Sequence, residues 1–229
     1  MKQEQIREML KHKISRERIG VEFRKTILGA NPVYGLRLIN EVGFTQIFNF
    51  GELEVTHKPQ DEEFFQYNLN QGVSDSLTDV VEKLPTVLQK VGQVPELNTL
   101  LNQVFTVENE KMAFYLTLIL YRWRDVTATS GKRTKLASNW LVVEGLKLSL
   151  KIANLVGLIS ANRHQFQKIF QNAEDYTRAE IAMKVIKPFT EHWKMNVLVN
   201  SVLDSFEDMN HVDETLLKAT QFFKTCDLS

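Results

Sequence analysis

Chain-breaking residues are sparse in this sequence. Ten glycines and five prolines are spread over 229 residues, and between them the apolar residues return mostly at three- and four-residue spacing. That spacing lines one face of a helix, and it leaves strands of period two few places to start or stop. The expected fold is all-α, an irregular multi-helix array, with 43% hydrophobic residues to fill its core. The single cysteine, Cys226, excludes an internal disulfide framework and a Cys-based zinc site. The longest apolar stretch, Met112 to Tyr121, is about half the roughly 18 residues of a membrane-spanning helix, so no membrane partner is expected. The opening MKQEQIREMLKHK mixes Glu4 and Glu8 with bases and lacks an apolar centre; no targeting signal is read there.

Local signals set the helix ends. Ser15 is placed to cap a helix over Arg16 to Leu28, with Gly29 as a left-handed terminator. Asn31 supplies the next N-cap, Pro32 the first helical position, and Gly43 closes that helix after Val42. Further helices are expected over Ser76 to Val91, Pro95 to Phe105 and Glu108 to Arg124. Beyond them follow Leu136 to Leu148, Ser149 to Ser160, Arg163 to Asn172, Thr177 to Lys187, His192 to Phe206 and Asp213 to Lys224. Residues 49–75, acidic and dotted with aromatics, read as a long surface loop, and Thr127 to Lys135, TATSGKRTK, reads as a second, flexible one.

The formal charge is zero but unevenly distributed. Residues 1–30 carry eight Lys or Arg against four Glu, residues 41–82 carry nine acids against one Lys, and Arg122 to Lys151 carries seven bases against Asp125 and Glu144. A surface field acts over about a Debye length, so a neutral chain can still present a local phosphate-binding face. Lys132, Arg133 and Lys135, with Lys147 and Lys151, are the candidate phosphate contacts, because backbone binding needs mobile cations that release counterions. The alternative for each basic or acidic run is an ordinary solvated face. Trp140 and Trp193, flanked by aliphatics at helical spacing, read as core anchors rather than base-stacking platforms.

Self-contained catalytic machinery is not legible. The sequence holds neither type of Gly-rich phosphate loop, no His-Glu-x-x-His and no Asp-x-Asp pair, and its five histidines are scattered. No catalytic residue and no metal ligand is assigned.

One stretch carries more. Lys13-Ile14-Ser15-Arg16-Glu17-Arg18-Ile19, then Glu22, Ile27-Leu28-Gly29, Asn31-Pro32, Gly35-Leu36 and Leu38-Ile39, resembles the neck segment of eukaryotic, fungal-like CCA-adding enzymes, the tRNA nucleotidyltransferases. Val143 to Ser149, VEGLKLS, and Arg178-Ala179-Glu180-Ile181 with Trp193 resemble the family's body more weakly. The resemblance implies a division into neck helices over 1–48, an acidic loop over 49–75 and a helical body over 76–229. It implies tRNA as partner, with no DNA, and an intracellular setting that is cytoplasmic, nuclear or mitochondrial. In the family a catalytic head precedes the neck and holds Mg²⁺ for transfer from CTP and ATP; with no Asp-x-Asp here, this chain is expected to be inactive alone and to need a separate head domain or chain.

The Ser15, Arg16, Glu17, Arg18 and Glu22 motif is expected to brace the neck, and Arg18 and Glu22, at i and i+4, are spaced to pair. Two other readings stay open on the sequence: a catalytically dead helical RNA-binding or scaffold module, and one half of a split enzyme.

Overall fold

The computed structural model describes residues 14–43, 54–57, 69–124, 126–130 and 133–227. Its helices are α1 (Arg16–Leu28), α2 (Pro32–Glu41), α3 (Leu69–Gln93), α4 (Pro95–Thr106), α5 (Glu108–Leu120), α6 (Ala137–Trp140), α7 (Leu150–Gln171), α8 (Arg178–Ile181), α9 (Trp193–Glu207) and α10 (Val212–Cys226). The strands β1 (Glu54–His57), β2 (Thr127–Ser130) and β3 (Arg133–Leu136) form a small antiparallel sheet in the order β1-β2-β3. The fold is the expected all-α array with this sheet added.

α5 is the axis of the packing. Every residue from Met112 to Leu120 is buried, the mark of a helix covered on all sides. α1, α3, α4, α7 and α9 lie against it. Fully burying one of its Leu or Ile side chains contributes about 1.5–3 kcal/mol, and this concentration of them makes α5 the element least able to tolerate a polar substitution.

The N-terminal helices form where their caps predict. The Ser15 hydroxyl accepts from the Arg18 backbone N–H at 3.3 Å, and the Asn31 side chain accepts from Tyr34 N–H at 3.2 Å, with Pro32 at the first turn. Gly43 takes φ 67°, the left-handed conformation expected after Val42. Gly29 does not: its φ is −65° with ψ 177°, an extended residue that donates to the Lys25 carbonyl at 2.9 Å. The orphan carbonyls there are met instead by Lys111 of α5, whose ammonium donates to Gly29 O at 3.2 Å and Leu28 O at 3.5 Å. A cation at a helix C-terminus also complements its dipole.

Several elements differ from the sequence reading. Strand β1 and the first residues of α3 fall within the 49–75 stretch read as loop; most of that stretch lies outside the described residues. α3 starts early because Val73 continues the buried series Leu77, Val80, Leu84, Val87 and Val91, and Pro85 is tolerated on its exposed side. TATSGKRTK is a paired hairpin in its described part rather than a loop, with Ala128 opposite Lys135 and Ser130 opposite Arg133. The expected helix over Leu136 to Leu148 is α6 running into a π-helical turn, Leu141–Gly145.

The two helices expected around residue 161 are one, α7. Their apparent break is a buried polar joint. Arg163, 4% exposed, reaches across to α9, donating to Asn200 Oδ1 at 3.1 Å, to the Asp204 carboxylate, and to Glu207 Oε1 at 3.2 Å. Gln167 donates to Glu207 Oε2 at 3.1 Å, so the two helices are pinned by a network rather than by apolar contact alone.

Candidate nucleic-acid interface

The Ser15–Glu22 and Val143–Ser149 segments, far apart in sequence, meet in space. The helix α1 packs so tightly on the turn after α6 that a β-carbon on Gly20 would lie 1.8 Å from the Leu146 carbonyl oxygen. The turn itself is unusual. Leu146 N–H donates to Leu141 O at 2.9 Å, Leu148 N–H to Val142 O at 3.0 Å, and Lys147 between them has φ 51°. A π turn followed by a left-handed non-glycine residue is a costly conformation that the surrounding packing must hold, and such turns occur disproportionately at functional sites. Ser149 then caps α7, its hydroxyl accepting from Ile152 N–H at 3.4 Å.

Electrostatics follow the same joint. Glu17 stands in the first turn of α1. Its own backbone N–H, then the Ser15 hydroxyl, hold its carboxyl below the usual range, with Lys147 adding to the effect. Lys147 is itself bonded to Glu144 at 2.7 Å. The expected Arg18–Glu22 pair does not form: Glu22 accepts from Lys25 at 2.9 Å instead. An acid followed by a base toward the C-terminus is the favoured helical order, and Arg18 before Glu22 is the reverse. Arg18, Glu17 and Glu22 are exposed and Arg16 is half-buried, so most of this motif faces outward.

The basic candidates separate into two groups. Arg133 and Lys135 alternate along β3 and therefore share one face of the sheet's outer strand, both exposed. The Lys135 ammonium lies 5.9 Å from the centre of the Trp140 ring, and the Trp140 indole N–H donates to Ala128 O at 3.0 Å. This bond fastens the hairpin to α6 and leaves an amphipathic, half-buried ring beside a cation. Trp140 is thus the anchor expected from sequence, while its partnership with Lys135 was illegible because the hairpin was. Lys147 and Lys151 lie on either side of the α7 cap, Lys147 already neutralised by Glu144 and Lys151 exposed. Lys132 lies outside the described residues. Trp193 stacks on Phe223 at 5.5 Å, consistent with an anchoring role.

Among the described residues no three His, Cys, Asp or Glu side chains gather into a metal-binding group. Such a group is what the Mg²⁺ implied by the family resemblance would need, and the described residues do not supply it. No helix among the described residues is long and apolar enough to cross a membrane.

Comparison with known proteins relates the chain to the CCA-adding tRNA nucleotidyltransferases. It is 27% identical over 195 residues to the mitochondrial CCA tRNA nucleotidyltransferase of Candida glabrata, covering 77% of this chain and 35% of that protein. It is 23% identical over 212 residues to the mitochondrial CCA tRNA nucleotidyltransferase of Saccharomyces cerevisiae, covering 83% of this chain and 36% of that protein. The chain thus spans about a third of the length of the curated relatives it matches. No family model and no solved structure matches it.

Proposed function

We propose that the chain is the tRNA-binding, structural portion of a CCA-adding tRNA nucleotidyltransferase, corresponding to late neck and body. The observation that carries this reading is similarity to two such enzymes across most of the chain, joined to the contact between the two segments that first suggested the family. Nucleotide selection, Mg²⁺ binding and transfer from CTP and ATP belong, in this reading, to a head in the rest of the enzyme, contributed by the same or a separate chain. The 1–48, 49–75 and 76–229 division is carried over as neck, an acidic connecting segment that contains β1 and the start of α3, and body.

Arg133 and Lys135 are the strongest phosphate contacts in this account, with Lys132 and Lys151 supporting them and Lys147 acting through the α1 joint. Ser15, Arg16, Glu17, Arg18 and Glu22 brace rather than catalyse. Both relatives are named as mitochondrial enzymes, and we carry that location over as part of the proposal.

The test pairs two assays on the full chain. Binding to a tRNA lacking its 3′ CCA is measured by gel shift at low salt, and nucleotide incorporation is measured with CTP, ATP and Mg²⁺. The expected result is binding without incorporation. Incorporation at an ordinary enzymatic rate would overturn the assignment of chemistry elsewhere; absence of binding would overturn the tRNA role.

A further inference from the structure

α7 differs from the other long helices in its charge. Each of α1, α2, α3, α4, α5, α9 and α10 carries at least one Asp or Glu, whereas the 22 residues of α7 include none. Its inner side faces the core with Ile152, Val156, Ile159, Arg163, Phe166 and Phe170, all buried. Its outer side shows Lys151, Asn154, Gln165 and Lys168, all exposed. A solvated helix face ordinarily mixes both signs and pairs them three or four residues apart; here neither lysine has an acid at those positions.

The order along the outer side is cation, amide, amide, cation. Asn154 and Gln165 are eleven residues apart, about three turns, and so project to the same side about 16 Å from each other. Lys151 and Lys168 flank them, about 26 Å apart along the axis. Asn162 is tied back to the Leu158 carbonyl at 2.8 Å, which leaves Asn154 and Gln165 as the exposed amides between the lysines. The hairpin lies close by. α6 packs on α7 beside Gly157, where a β-carbon would stand 2.1 Å from Asn139 Oδ1, and this brings Trp140 and its neighbour Lys135 alongside the middle of α7.

The chemistry of such a face selects its ligand. Double-helical RNA is recognised across its wide, shallow minor groove through phosphates and ribose 2′-hydroxyls rather than base edges. A side-chain amide both donates and accepts, as the 2′-hydroxyl does. Lysines at the two ends meet phosphates, and a stripe free of carboxylates does not repel them.

We propose that the outer face of α7 reads the ribose of double-helical RNA, Asn154 and Gln165 contacting 2′-hydroxyls and Lys151 and Lys168 the flanking phosphates, so that this helix makes the chain select RNA over DNA. The proposal deepens the tRNA-binding reading given above and rests on it. Arg133 and Lys135 supply charge that either nucleic acid would feel; α7 supplies the discrimination.

Three probes are titrated into the full chain at low salt: a tRNA lacking its 3′ CCA, an RNA duplex of about 16 base pairs, and the DNA duplex of the same sequence. The parent chain is expected to prefer the RNA duplex by about tenfold or more, the scale of a few hydrogen bonds. Asn154→Ala/Gln165→Ala, which alters no charge and installs a strong helix former, should lose that preference by weakening RNA binding while DNA affinity stays unchanged. Lys168→Gln should weaken both duplexes alike, and Gln221→Ala, which removes an exposed amide from α10, should change neither. Equal affinity of the parent chain for the two duplexes overturns the proposal, as does an RNA preference that survives the double alanine variant. If tRNA binds but RNA is not preferred, only the ribose reading fails; if no probe binds, the tRNA-binding reading fails with it.

Discussion

Gly20 of α1 and the carbonyl of Leu146 are in such close contact that residue 20 has no room for a β-carbon, which would stand 1.8 Å from the oxygen. Neither partner can yield by rotating a side chain, because both atoms are fixed to the backbone. Ala is ordinarily better than Gly in a helix by roughly 1 kcal/mol, so propensity alone predicts a gain from Gly20→Ala. Overpacking of this kind costs about 1–3 kcal/mol and dominates. Gly20→Ala should lower stability by a net of about 1 kcal/mol in urea unfolding, the overpacking cost less the propensity gain, whereas Gly92→Ala, where a β-carbon meets nothing within 4 Å, should be neutral or stabilising.

The Arg163 joint predicts a large loss and a recoverable one. Arg163→Ala leaves the Asp204 carboxylate buried between α7 and α9 without its cation, and removal of one partner from such a pair costs about 3–5 kcal/mol. Replacing both with apolar groups, as Arg163→Met/Asp204→Leu, should recover most of that loss in the same unfolding measurement. A double variant as unstable as the single one would contradict this account.

Two carboxylates should give stability opposite dependences on pH. Burial raises the Asp204 carboxyl above its ordinary value despite Arg163. Its contribution is present below the unfolded value near 3.9 and is lost as pH rises through the folded value. Burial also pushes Asp79 upward, but hydrogen bonds from Lys83, Tyr121 and Arg122 outweigh it and leave the carboxyl lowered. Asp79 therefore stabilises above the unfolded value and loses that contribution as pH falls through the folded one. Relative to the parent chain, Asp204→Asn should improve as pH rises from about 3 to 7, and Asp79→Asn should worsen over the same range. Denaturant titrations at stepped pH read both signs.

Cys226 is 3% exposed, and burial first, then Asp227, pushes its thiol up to about 12. The thiolate is the reactive species, so the native chain should react with a thiol-specific disulfide reagent only on the timescale of opening, and rapidly once unfolded. Fast labelling under native conditions would contradict the burial of the α10 end.

What the sequence made legible follows from where the physics is local. Ser15, Asn31-Pro32 and Gly43 announce α1 and α2 because a cap is satisfied by residues three or four positions away. Non-local features were lost. The Arg163 joint read as a helix break because a polar residue on an inward face looks like an interruption until its partners on α9 are known. The hairpin read as a loop, although Thr-rich runs flanking Gly131-Lys132 were a usable strand signal. The π turn and left-handed Lys147 have no such signal, since contact with Gly20 helps hold them. Of the basic candidates, sequence identified the residues but not their partners: it could not tell exposed Arg133 and Lys135 from Lys147, which Glu144 already neutralises.

The proposed tRNA-contacting face on β3 stands or falls on the salt dependence of tRNA affinity. The full chain and its Arg133→Gln/Lys135→Gln variant are titrated with tRNA across a salt series, and log K is plotted against log salt. A steep decline is expected for the parent chain, with a slope shallower by about 0.7–0.9 for each cation removed. Identical slopes for the two proteins, or no binding by the parent chain at low salt, would contradict it.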